Sequence, residues 1–111
     1  MKKLLKSVAI FDRTWQIYLA KPHDPELFVN GETLQGACWC GHSKIFLSDE
    51  LDGAALKRTL IHEIAHAVLY MSQLEVPETF SEEQLCNFMA IYGKMVVNTA
   101  DYILEETGEK K

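Results

Sequence analysis

Nothing in this 111-residue chain approaches the roughly 18 consecutive apolar residues that a membrane-spanning helix needs. A leader peptide is not expected either. "MKKLLKSVAIF" starts like one, but Lys6 interrupts the apolar run, Asp12 and Arg13 end it, and no small-residue cleavage site follows. These two readings predict a cytoplasmic protein with no membrane partner. Basic charge is also scarce, with 11 Lys and Arg against 16 Asp and Glu and a net charge of −5. A phosphate-binding surface leaves a basic footprint, so direct nucleic-acid binding is not expected. There are three cysteines, Cys38, Cys40 and Cys86. An odd count without a leader favours reduced thiols over a disulfide framework. No repeat, low-complexity tract or linker divides the chain, and its length supports one core, so residues 1–111 are read as a single domain.

What the chain does contain is a change of hydrophobic period. "TWQIYLAK", Thr14 to Lys21, alternates with Trp15, Ile17 and Leu19 on one face, as a half-buried strand does, and "KPHDPE" breaks it because Pro22 and Pro25 cannot continue a central strand. A second extended region runs from about Leu34 to Trp39 and a third from Lys44 to Ser48, with "CGHS" as turn residues between them. They suggest an antiparallel hairpin. From Asp52 to Gln73 the period becomes helical, with Leu56, Leu60, Ile64, Val68 and Met71 on one stripe and Asp52 as a candidate N-cap. That helix should stop before Pro77. After "EVPETF", Ser81 and Gln84 fit a capping box. Leu85, Phe88, Met89, Tyr92, Met95, Val96, Thr99 and Ile103 carry a second helical stripe to about Glu106, and Gly93 within it suggests close packing.

The first helix carries the chemistry. In "TLIHEIAHAVLY", His62 and His66 are four residues apart, about 40° around a helix axis, so one metal ion can reach both. Glu63 stands about 100° away, too far round to be an equal ligand but close enough to touch a water on that ion. This is the H-E-x-x-H arrangement, in which two imidazoles hold Zn²⁺ and the glutamate takes the proton from its water. A catalytic zinc needs a third protein ligand and an open position. Glu82 and Glu83 lie in the first turn of the second helix. Glu83 is preferred, because Asn87 one turn later can orient a ligand and Ala90 on the same face would let the helices approach.

These residues resemble the ImmA/IrrE-type metallopeptidase family, in particular its short stand-alone members from phage and prophage. The likeness runs from about Gly36 to Met95 and rests on "LIHEIAHAVLY" followed by "EEQLCNFMA". The family's downstream pattern reads Glu, two residues, Ala, Asn or Asp, one residue, Phe, Ala. Glu83, Asn87 and Ala90 match it, while Cys86 replaces the first Ala and Met89 the Phe. The resemblance implies one zinc ion held by His62, His66 and Glu83, with Glu63 as general base. It also implies a protein or peptide substrate, such as a transcriptional repressor or a toxin–antitoxin component. Zinc peptidases of this broad kind pair an extended substrate with an edge strand, for which Gly36, Ala37, Cys38 and Trp39 are the candidates; an ordinary sheet strand with Trp39 in the core is the competing reading.

The expected fold is therefore α+β, a minimal zincin-like domain with a small antiparallel sheet packed against the H-E-x-x-H helix and a second long helix. Two other functions fit the same residues. One is a metal-stabilised interaction module that does not cleave. The other is a deformylase-like hydrolase whose third ligand is Cys38 or Cys40, near His42, although the glycine-rich motif and Gln–Leu neighbourhood of that group are missing. More simply, Cys38 and Cys40 are small strand residues, Cys86 a small buried one, His23 a surface loop residue, and Tyr92 part of the core.

Overall fold

A computed structural model describes residues 2–72 and 81–108. The expected break at Pro77 and the loop Glu75 to Phe80 lie outside the described residues. Strands come first: β1 (Lys3–Ile10), β2 (Arg13–Ala20), the short pair β3 (Phe28–Val29) and β4 (Glu32–Thr33), β5 (Gly36–Trp39) and β6 (Lys44–Ser48). The helices α1 (Gly53–Met71) and α2 (Glu82–Thr107) follow.

The main sheet has the order β1-β2-β6-β5. Two hairpins build it. β1 and β2 are antiparallel, and so are β5 and β6, which reverse through a 3₁₀ turn at Cys40–His42. Where the hairpins meet, β2 and β6 run parallel, with Ile17 opposite Ile45 and Leu19 opposite Leu47. The sheet is therefore mixed, which corrects the expected antiparallel sheet. Parallel neighbours need a crossover of a dozen or more residues, and the stretch from Lys21 to Ser43 supplies it. β1 is the other departure. The leader-like start is a strand whose Val8 and Ile10 are buried while Ser7 and Ala9 are exposed.

Alternation along the strands gives the sheet two covered faces. Val8, Ile10, Trp15, Ile17, Ile45 and Leu47 pack with the buried stripes of both helices. On the opposite face Ala20, Leu27 and Phe46 form a smaller cluster with Tyr18 and Ala37. Trp39 belongs to this second face, 39% exposed, its ring 5.1 Å from that of Phe46, and so lies outside the core.

On α1 the predicted stripe is buried at Leu56, Leu60, Ile64 and Val68, each worth roughly 1.5–3 kcal/mol relative to exposure. Asp52 is the N-cap residue in extended conformation, but its side chain makes no capping bond. The capping box of α2 is complete. Gln84 N–H donates to Ser81 Oγ at 3.1 Å, and Ser81 N–H donates to Gln84 Oε1 at 2.8 Å. The buried face of α2 is Phe88, Val96, Ala100, Ile103 and Leu104, with Tyr92 partly buried beside it. Leu85, Met89 and Cys86 are exposed, contrary to expectation, because this stripe turns them outward. Gly93 is buried, yet the three atoms nearest to a Cβ there all belong to Met89 of the same helix. Lys57 and Asp101, 2.9 Å apart, join the start of α1 to the far part of α2. Among the described residues, no helix is long and apolar enough to cross a membrane.

Candidate metal centre

The core fixes the orientation of α1. With Leu60, Ile64, Ala67 and Val68 turned inward, helical spacing leaves His62 and His66 on the exposed side and places Glu63 between the two. Glu63 is only 5% exposed. The three side chains form the group of metal-ligating atoms among the described residues, all within 4.8 Å of one another.

Two nitrogens bound to one tetrahedral zinc at about 2.0–2.1 Å stand about 3.3–3.4 Å apart. The Nε2 atoms of His62 and His66 are 3.3 Å apart, with the rings at 74°. The pair thus fits one ion with little movement, and the same distance admits an N–H···N bond between the rings without one. Loss of water around the ring, and then the His62 charge, pushes the His66 imidazole below its usual range, which favours the neutral form that binds metals. The Glu63 carboxylate lies 4.0 Å from His62 Nε2. Burial raises its pKa above the usual carboxylate range, and the His62 charge partly offsets this.

β5 stands directly against this group. It is the edge strand of the sheet, so the side of its backbone away from β6 is unpaired by the sheet. A Cβ at Gly36 would lie 2.8 Å from Thr59 Cγ2, closer than real Cβ atoms come, and 3.0 Å from Glu63 Oε2, a tight contact that the carboxylate would have to yield to. Only glycine lets the strand and the helix approach this far. A cleft of about 430 Å³ opens beside them, lined by Thr33, Leu34, Gln35, Gly36, Arg58, Thr59, His62 and Glu63. Arg58 is the functional candidate that sequence reasoning passed over, although its spacing of four from His62 could have shown it.

The other predicted residues are placed differently. Glu83 and Asn87 lie on the exposed first two turns of α2, and Glu83 is not part of the His62–Glu63–His66 group. Ala90 is exposed as well, so it does not mediate the approach of the helices. The cysteines also stay apart from the histidines. Cys38 and Cys40 face each other with their Sγ atoms 3.5 Å apart, partly buried against the core, and neither joins the metal-ligating group. Burial, and then the hydrogen bond with Cys40, pushes the Cys38 thiol well up, as in an inert structural cysteine. His23 and His42 are exposed.

Fold and site together define an α+β domain that presents an assembled His–Glu–His group beside a sheet edge. No family model, curated protein or solved structure matches the chain.

Proposed function

We propose that the chain is a zinc-dependent metallopeptidase of the H-E-x-x-H kind, acting in the cytoplasm on a regulatory protein such as a repressor. The observation that carries this reading is the joint placement of three parts. The His62 and His66 nitrogens stand at the spacing for one ion, Glu63 is buried beside them, and the edge strand β5 closes on the same glutamate through Gly36. A single helix could carry two histidines for many reasons. A sheet edge that no other described strand pairs, packed on Glu63, is what a peptide hydrolase needs.

In this mechanism His62 and His66 would hold the metal, with Glu83 as the third ligand that the family resemblance assigns. Glu83 is exposed and outside the His62–Glu63–His66 group, so that role requires its carboxylate to be brought to the histidines. Zinc bound there would supply Lewis acidity for activating a water and polarising the peptide carbonyl. Glu63 takes the proton from the attacking water at Oε2 and later returns it to the leaving amine. Its burial between α1 and β5 keeps the carboxylate fixed and free of competing solvent. β5 supplies main-chain hydrogen bonds that hold the substrate extended across the site, and the side chains of Ala37 and Trp39 point away from it.

A second reading has a specific observation in its favour. The cleft is small and open, and Glu83 stands away from the histidines, as suits a metal-binding interaction module that does not cleave. Glu63→Gln separates the two. In a peptidase the variant keeps its zinc and loses about 10²–10⁴-fold in turnover, read by zinc analysis and a peptide-cleavage assay. Cleavage that survives the substitution overturns the mechanism; zinc binding by the native protein with no cleavage of any peptide leaves the binding module. The deformylase-like alternative is the weakest, since it needs a cysteine to leave the Cys38–Cys40 pair and join the histidines.

A further inference from the structure

We propose that Arg58 makes the cleft selective for peptides with an acidic side chain two to four residues to one side of the bond held at His62, Glu63 and His66. The inference rests on the peptidase reading and adds the class of substrate to it.

Arg58 lines the cleft together with His62 and Glu63, one helical turn before His62 on the same face of α1. It is exposed, and among the described residues no ion pair or hydrogen bond engages its guanidinium. Most other cations near a pocket or sheet face are engaged. Lys57 pairs with Asp101, Lys21 with Asp49 and Lys6 with Glu106, while Arg13 contacts Ser43 and the Tyr70 ring. Arg58 is thus an unpaired cation in the cleft of a chain with net charge −5.

The charged surroundings favour an acidic ligand. Among the described residues the only anionic group lining the cleft is Glu63, which is buried, and a metal held by His62 and His66 would add positive charge beside it. A guanidinium presents parallel N–H donors that match a carboxylate and discriminate against amines by repulsion. Position sets the register. Four helical residues separate Arg58 from His62 by about 6 Å along the axis, and eight separate it from His66 by about 12 Å. An extended peptide laid along α1 advances about 3.3 Å per residue, so in that orientation a carboxylate at Arg58 belongs to a residue two to four places from the scissile bond. Arg58 precedes His62 on α1, and Thr33, Leu34, Gln35 and Gly36 line the cleft with it, so the preference falls on one side of the bond only.

The test uses the full-length zinc-loaded protein and a synthetic library of unstructured decapeptides with randomised positions. Cleaved bonds are located by mass spectrometry, and the same library is passed over immobilised zinc-loaded Glu63→Gln protein to record retention without cleavage. The expected result is about 10-fold enrichment of Asp and Glu at a single position two to four residues from the cleaved bond. Arg58→Gln should remove the enrichment, and Arg58→Glu should replace it with Lys and Arg, both without loss of zinc. Cleavage without acidic enrichment, or enrichment that survives Arg58→Glu, overturns the proposal and leaves the peptidase reading standing. Retention of acidic peptides that depends on Arg58, without cleavage by the native protein, supports the proposal and removes the peptidase reading. Neither cleavage nor retention overturns both.

Discussion

The histidine turns of α1 and the first turns of α2 carry the two halves of the proposed ligand set, and they are built differently. Around His62 and His66 the opposite side of the helix is anchored by Leu60, Ile64, Ala67 and Val68, all fully buried. Around Glu83 only Phe88 is buried, and every residue from Ser81 to Asn87 is exposed. The capping box fixes where α2 begins, but a cap satisfies backbone groups and does not hold a helix face against a neighbour. The contrast teaches that a ligand pair on one anchored helix is assembled by local geometry, whereas a third ligand from another element depends on packing that can be weak.

Substitutions can break that contrast. The largest effect is expected from Ile64→Ala, which should cost about 2–5 kcal/mol in denaturant unfolding because it leaves a cavity under the histidines. Met89→Ala on the exposed part of α2 should change stability by less than about 0.5 kcal/mol. Equal costs would mean that the two regions are equally anchored. Next comes Gly36→Ala. Its methyl would collide with Thr59 and Glu63, so a loss of about 1–3 kcal/mol is expected in the same measurement. An unchanged denaturation midpoint would place β5 further from α1 than described. On metal binding rather than stability, Glu83→Gln should lower zinc affinity about 10-fold in a chelator competition while stability of the metal-free protein stays the same. Unchanged affinity would remove Glu83 from the ligand set. Loss of zinc in Cys38→Ser or Cys40→Ser instead would transfer the role to a thiol.

Much of this was legible in the sequence where one period governs one element. The start of α1, the burial of Leu56, Leu60, Ile64 and Val68, the β5–β6 hairpin and the Ser81–Gln84 capping box follow from local spacing. β1 was not legible, because its lysines and leader-like start masked the alternation that ends in Val8 and Ile10. The parallel join of β2 and β6 was not legible either, since it depends on how two hairpins meet across a long connection. Leu85 and Met89 have helical spacing but lie outside the buried stripe, because spacing gives an apolar face without saying which part of it finds a partner.

The sequence by itself determined that His62 and His66 share a helix face with Glu63 beside them, for the 3.6-residue turn of the backbone imposes that on any helix with this spacing. Only the tertiary structure decided the rest. It laid Gly36 of an edge strand against Glu63, opened a cleft that includes Arg58, and left Glu83 facing solvent. These placements depend on contacts between residues far apart in the chain, whose strength is set by which apolar surfaces bury each other and which remain without a partner.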